Sequence, residues 1–120
     1  MSKVYGLCFA LLSLFVCTSA FADAECLNYN GKTACGYDCV GYNGDVQCAQ
    51  TPNGACLGYN GDIECWDPPF WANQKAECLG YNGDIACGYG CVGYNGEVRC
   101  SQIPGGVCSG YNGRITCMGD

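Results

Sequence analysis

The chain has no histidine among its 120 residues, few charges (13 %), and 5 basic side chains against 11 acidic ones. Without histidine it lacks the usual general base, the commonest metal ligand and the one side chain that titrates near neutrality unperturbed. At a net charge of −6, the shortage of Lys and Arg excludes the basic surface with which nucleic-acid binders neutralise phosphates. It also argues against docking on anionic lipid head groups. Long apolar runs are missing too, apart from Val4–Val16, which at 13 residues is too short to span a bilayer as a permanent anchor.

That run belongs to an N-terminal address. Met1-Ser2-Lys3 is a short basic start, and Ala20-Phe21-Ala22 is the small-x-small pattern that precedes a signal-peptidase cut. Residues 1–22 therefore read as a signal peptide with Asp23 as the mature start, a cut after Ala20 being the alternative. Cys17 follows Val16, where a lipidation site has a small residue, so it reads as part of the leader. Losing Lys3 takes the net charge from −6 to −7. The expectation is an acidic secreted chain, extracellular or periplasmic. Export ends in an oxidising compartment, which accounts for what the chain has in excess.

The excess is cysteine, glycine and tyrosine, with 14, 19 and 9 residues. So much cysteine in a short chain points to a disulfide scaffold. Beyond the leader, 12 cysteines fall into six segments of the form C-x-x-Y-N-G-x-x-x-C: Cys26–Cys35, Cys39–Cys48, Cys56–Cys65, Cys78–Cys87, Cys91–Cys100 and Cys108–Cys117. A longer period overlies this one. Shifting the chain by 52 aligns Glu25–Trp66 with Glu77–Met118, and 28 of the 42 positions are identical. Each triplet has a three-residue connector (Gly36-Tyr37-Asp38; Gly88-Tyr89-Gly90) and a seven-residue one (Ala49–Ala55; Ser101–Val107). The reading is a first lobe over 23–66, a linker over 67–76 and a second lobe over 77–120.

Asn-Gly is the strongest short-range signal for a two-residue type I′ turn, because both central residues need φ > 0. With Asn30-Gly31 at the apex, Tyr29 faces Lys32, Asn28 faces Thr33, Leu27 faces Ala34 and Cys26 faces Cys35; the same counting pairs the cysteines of every segment. They land on a non-hydrogen-bonded pair, where Cα atoms are about 4.5 Å apart, at the short end of the disulfide range. Closing a ten-residue loop this way is worth about 2.7 kcal/mol in the chain-entropy estimate. The whole net stability of such a domain is about 5–15 kcal/mol.

Alternation sorts two faces. The cysteine face carries Val46, Ile63, Ile85, Val98 and Ile115 opposite Gly41, Gly58, Gly80, Gly93 and Gly110. Large opposite small lets another layer pack down, so this face is expected to be the inner one. The other face carries Tyr29, Tyr42, Tyr59, Tyr81, Tyr94 and Tyr111, with Leu or Val and charged residues.

The stretch Ala34-Cys35-Gly36-Tyr37-Asp38-Cys39, then Cys48-Ala49-Gln50-Thr51-Pro52-Asn53-Gly54-Ala55-Cys56, closing with Cys65-Trp66-Asp67-Pro68, resembles a group of short secreted bacterial proteins. Their signature is A-C-G-Y-x-C … C-A-Q-T-P-x-G-x-C … C-W-D-P. The second lobe echoes it in Ser101–Cys108, with Met118 in place of the tryptophan and no Asp-Pro after it. The hairpin tips differ, with Tyr-Asn-Gly here where the group has Ala-Tyr-Gly. The group has no established activity, so the resemblance implies secretion and fold type, not chemistry.

Chemistry has little to work with. Cys35-x-x-x-Cys39 and Cys87-x-x-x-Cys91 have spacings a zinc site could use, but an even count, export and hairpin-matched pairing favour disulfides; no metal or other cofactor is expected. Without C-x-x-C, a redox role is not expected either. The Asn-Gly-Asp tips could suggest calcium, which needs six to eight converging oxygens that a two-residue turn does not supply. Asp62 and Glu64 could serve as a glycosidase pair only across a cleft, and they share one strand. An enzyme is not expected. The tyrosines would form a row if hairpins stacked side by side, able to bind sugar rings or cationic groups, or they pack on neighbouring stems. Trp66 and Trp71 flank the stiff Pro68-Pro69 linker and, with Phe70, form either a plug between lobes or a contact patch.

The sequence thus predicts a small all-β, disulfide-rich fold of six disulfide-closed β-hairpins in two tandem triplets. It predicts a non-enzymatic structural or binding module with a polysaccharide or cell-surface component as partner, no nucleic-acid partner and no membrane span. A secreted inhibitor or toxin-like effector, which needs a protruding atypical loop, is the alternative.

Overall fold

In a computed structural model of the chain, which describes residues 23–119, all six Asn-Gly apices adopt the expected turn. The asparagines have φ of 52–55° and the following glycines 79–90°, the pair of positive values that a type I′ turn requires. The leader expectation lies outside the described residues.

The turns generate ten strands: β1 (Glu25–Tyr29), β2 (Lys32–Tyr42), β3 (Asp45–Ala49), β4 (Ala55–Tyr59), β5 (Asp62–Trp66), β6 (Glu77–Tyr81), β7 (Asp84–Tyr94), β8 (Glu97–Ser101), β9 (Cys108–Tyr111) and β10 (Arg114–Cys117). No helix occurs among the described residues. All pairings are antiparallel, and the register is the one the apex dictates. Cys26 faces Cys35, Cys56 faces Cys65, Cys78 faces Cys87 and Cys108 faces Cys117. All six bridges close within a hairpin, with Cα–Cα separations of 3.9–4.1 Å. A set of bridges this dense points to folding in an oxidising environment.

β2 and β7 each serve two hairpins, giving sheets β1-β2-β3 and β6-β7-β8 beside the two-stranded β4-β5 and β9-β10. The tips of the first two hairpins touch, since the Asn30 side chain donates to the Gly44 carbonyl. The chain must therefore double back inside β2, and it does so at Gly36-Tyr37-Asp38, where the register shifts by one residue. Gly36 (φ 155°) and Asp38 (φ 54°) supply the unusual backbone, and a Cβ at Gly36 would lie 2.2 Å from the Ala49 carbonyl oxygen. β7 repeats the device with Gly88 and Gly90, and a shift between Tyr89 and Val92.

The hairpins then stack face to face rather than side by side. The tyrosine ring of each lies on the glycine of the next: Tyr29 on Gly41, Tyr42 on Gly58, Tyr59 on Gly80, Tyr81 on Gly93 and Tyr94 on Gly110. The apposition is close enough that an ideal Cβ on any of these glycines would sit 2.6–2.7 Å from a ring carbon, inside any real contact distance. This changes the expected assignment of faces. The cysteine face is covered, as its large-against-small pairs imply, but the tyrosine face of the first five hairpins is covered as well, because it supplies the layer. The Tyr59–Gly80 step crosses from one triplet to the next with the same geometry as the others.

Around that step lies a buried cluster of Ala55, Ala76 and Tyr89, packed by Trp66 and Cys78. Trp66 meets Tyr89 edge to face at 5.8 Å, a geometry favoured by the ring quadrupoles.

Two outcomes check this arrangement. The oxidised protein is expected to be twelve hydrogens lighter than its reduced form, and peptide mapping to return Cys26–Cys35 and its five equivalents; bridges between hairpins would refute the register. Gly80→Ala, which drives a methyl into the Tyr59 ring, is expected to cost about 1–3 kcal/mol in denaturant unfolding. Asn28→Ala, at the same position of the first hairpin but exposed, should cost under about 1 kcal/mol. Equal effects would mean that the ring contact contributes nothing.

Candidate functional site

The aromatic residues singled out from the sequence fall into three environments. Tyr42, Tyr59, Tyr81 and Tyr94 are half-buried between hairpins, and Tyr29 is 37 % exposed at the first step of the stack. Each ring is packed against a glycine of the next hairpin. The hydroxyls of Tyr42, Tyr59 and Tyr94 also accept hydrogen bonds from the N–H of the next apex glycine, at 3.1, 3.3 and 3.2 Å. Tyr111, on the last hairpin, is 82 % exposed. Trp66 is half-buried against Tyr89, whereas Trp71 is 62 % and Phe70 95 % exposed. The structure thus does not gather these aromatics into one surface. It separates a packed ladder from two accessible places, the Phe70-Trp71 tip and the Tyr111 end.

The Phe70-Trp71 tip is held from both sides. Asp67 Oδ1 accepts from the N–H groups of Gln50 and Thr51 and from the Thr51 hydroxyl, at 2.8, 2.9 and 3.1 Å. This anchors the start of the linker to the seven-residue connector of the first lobe. On the far side Asn53 Nδ2 donates to the Ala72 carbonyl (3.1 Å), the Ala76 N–H donates to the Asn53 carbonyl (2.9 Å), and the Tyr89 hydroxyl donates to Gln74 O (3.0 Å). Lys75 donates to the Gly54 carbonyl and pairs with Asp38 at 3.7 Å. Pro68 is buried, and a turn closes from the Ala72 N–H to the Pro69 carbonyl at 3.0 Å. Between linker and connector lies a cavity of about 210 Å³, lined by Thr51, Pro52, Asn53, Pro68, Pro69, Phe70 and Ala72.

This surface is largely apolar and aromatic. All twelve described cysteines are bridged, so none presents a thiolate. Among the described residues no three His, Cys, Asp or Glu side chains converge on a possible ion. Asp62 and Glu64 are exposed on one strand.

Three features escaped the sequence reading. The apex asparagines form a second ladder: Asn30, Asn43, Asn60, Asn82 and Asn95 each donate from Nδ2 to the carbonyl of the next apex glycine, at 3.0–3.4 Å. A signal was present, since Asp serves a type I′ turn about as well as Asn but has no amide to donate, and all six tips carry Asn. Asp67 as connector anchor was the second. In the second lobe Gly119 replaces it, and Ser101 takes over, its hydroxyl accepting from the Ile103 N–H (3.3 Å) and donating to the Met118 carbonyl (2.8 Å). The third is Tyr89, 1 % exposed, whose counterpart Tyr37 is only half-buried.

Burial raises the Tyr89 pKa above its ordinary value, because desolvation disfavours the phenolate. The folded state thus binds this proton more tightly than the unfolded chain. Its contribution is complete below about pH 10, the unfolded value, and is lost as pH rises through the higher folded value. Melting temperature is expected to fall on the alkaline side, and to fall less steeply in Tyr89→Phe; identical slopes would remove Tyr89 from the account. Comparison with known proteins adds no relative: no protein-family model, no curated protein and no solved structure matches the chain.

Proposed function

We propose that this chain is a secreted, non-enzymatic binding module in which a disulfide-stapled stack of hairpins displays the Phe70-Trp71 tip to a polysaccharide or cell-surface component. The observation that carries the reading is the exposure of two adjacent large aromatics, 95 % and 62 %, on a loop pinned at both ends. Exposed aromatic rings are costly to keep in water and rigid aromatic anchors lose little entropy on binding, so a fixed pair of them suits recognition. The N-terminal pattern and the resemblance to short secreted bacterial proteins support export. The tyrosine face contributes through Tyr111 alone, the other rings being engaged between hairpins.

A second reading is favoured by one feature, the exposure of the tip. Phe70 borders the linker cavity yet is 95 % exposed, which suits insertion into another protein's pocket, as an inhibitor or toxin-like effector would use it. The test is pull-down of the secreted protein on insoluble polysaccharides and on intact cells. Each aromatic contact contributes about 0.5–1.5 kcal/mol, so Phe70→Ala with Trp71→Ala should weaken binding at least about fivefold. Because both side chains face solvent, unfolding stability should change by under about 0.5 kcal/mol. Retention that survives the double substitution would place binding elsewhere. Absence of polysaccharide and cell binding, with a secreted enzyme inhibited in a Phe70-dependent way, would favour the second reading.

A further inference from the structure

Each internal step of the stack uses the same parts: a tyrosine ring from one hairpin, a bare glycine with a neighbouring Val or Ile on the next, and an asparagine amide donated to the next apex carbonyl. Among the described residues the stack therefore has two unlike ends. At the C-terminal end the donating half is complete, for Tyr111, Asn112 and the Gly113 apex present the same groups as the five hairpins before, with the ring 82 % exposed. At the N-terminal end the receiving half is altered. Asn28 stands where hairpins two to six have glycine, and Thr33 where they have Val or Ile. Both are exposed, and the Thr33 hydroxyl and Asn28 Oδ1 are hydrogen-bonded to each other.

We propose that the surface over Tyr111 is a latent head-to-tail interface for a second copy of this chain, kept shut by Asn28, Lys32 and Thr33 of the incoming first hairpin. Three arguments carry it. Where a tyrosine meets the next hairpin, even a Cβ is 2.6–2.7 Å from the ring, so an asparagine at that position holds the ring off. The Asn28–Thr33 pair would also lose its access to water, and a buried polar pair gains less than an apolar one of the same shape. Finally, Lys32 pairs with Asp45, its counterpart on the next hairpin, at 3.6 Å, and a second copy docked in the same register would set its Lys32 toward Arg114, two like charges where the first step has an ion pair.

The comparison with the fourth hairpin sharpens the point. Cys26–Cys35 and Cys78–Cys87 open their respective triplets and differ at three positions, 28, 32 and 33, where the fourth has Gly80, Asp84 and Ile85. The fourth hairpin has Tyr59 of another hairpin on its cysteine face, whereas on the first the corresponding Asn28 and Thr33 are exposed. The differences thus coincide with the presence of a neighbour, as in repeat stacks whose terminal units need a polar outer face to remain separate. An uncapped end would be serious, because a head-to-tail contact that does not close propagates into fibres.

The test is the triple variant Asn28→Gly, Lys32→Asp, Thr33→Ile, which gives the first hairpin the sequence of the fourth. Full chains are secreted through an oxidising route and checked for six intact bridges by mass. Light scattering over a concentration series should show the wild type as a monomer and the triple variant as open-ended oligomers or filaments. Adding Tyr111→Ser to the triple variant should restore the monomer. That quadruple variant, mixed with wild type, should form a one-to-one heterodimer and stop there, since it can cap a Tyr111 end but not extend it. The proposal is overturned if the bridged triple variant stays monomeric at millimolar concentration. It is equally overturned if association persists after Tyr111→Ser, which indicates general stickiness, or if the wild type already assembles through Tyr111.

Discussion

The contact on which this fold depends is a tyrosine ring packed against a glycine in the next hairpin. A lone two-stranded hairpin is marginal in water, and a disulfide at its base limits the unfolded chain without giving its faces anything to bury. The ring supplies that. It covers the glycine, shields the neighbouring Val or Ile, and brings the two apices close enough for an asparagine amide to reach the next carbonyl. Glycine is required here for proximity, since any Cβ would occupy the ring's place. The large-to-small complementarity runs in one direction, so each hairpin is a donor on one face and a receiver on the other.

Staples and stack divide the work. Each bridge fixes one hairpin and its register, which matters because a slip by one residue would exchange the two faces. The stack then joins hairpins that no covalent bond connects except through the chain. The direction reversals inside β2 and β7 are what allow consecutive hairpins to place their tips on the same side, and both use a glycine that no larger residue could replace. The seven-residue connectors are tied down by unrelated chemistry, a carboxylate at Asp67 in one lobe and a hydroxyl at Ser101 in the other. Each answers the same need, to satisfy connector backbone groups that the ladder leaves unpaired.

Function in this reading lies where the periodic pattern is broken. The linker interrupts the stack without breaking its geometry, and its aromatics divide by burial: Trp66 goes inward onto Tyr89, while Phe70 and Trp71 point out. The ends break the pattern differently, with polar Asn28 and Thr33 at one and a bare Tyr111 at the other. A stack of near-identical units has no other way to mark a place as special than to depart from its own sequence.

How much of this the sequence determined follows from the range of the forces involved. Hairpin identity, apex, register and cysteine pairing are local consequences of Asn-Gly and a fixed spacing, so they are legible in any one segment such as Cys26–Cys35. The all-β class and the large-against-small cysteine face follow from the same period of two. The destination of the tyrosines was not legible, because alternation says that Tyr42 and Cys39 lie on opposite faces but not what lies beyond either face. Only the tertiary structure decides that Tyr42 meets Gly58, sixteen residues on, and that Asn43 donates to the apex of the third hairpin. Trp66 and Trp71 make the same point: five residues apart in the same linker region, they differ in burial because Tyr89 comes from the far lobe to cover one and nothing among the described residues covers the other. Local backbone chemistry set the units, and shape complementarity between distant units set their order of contact.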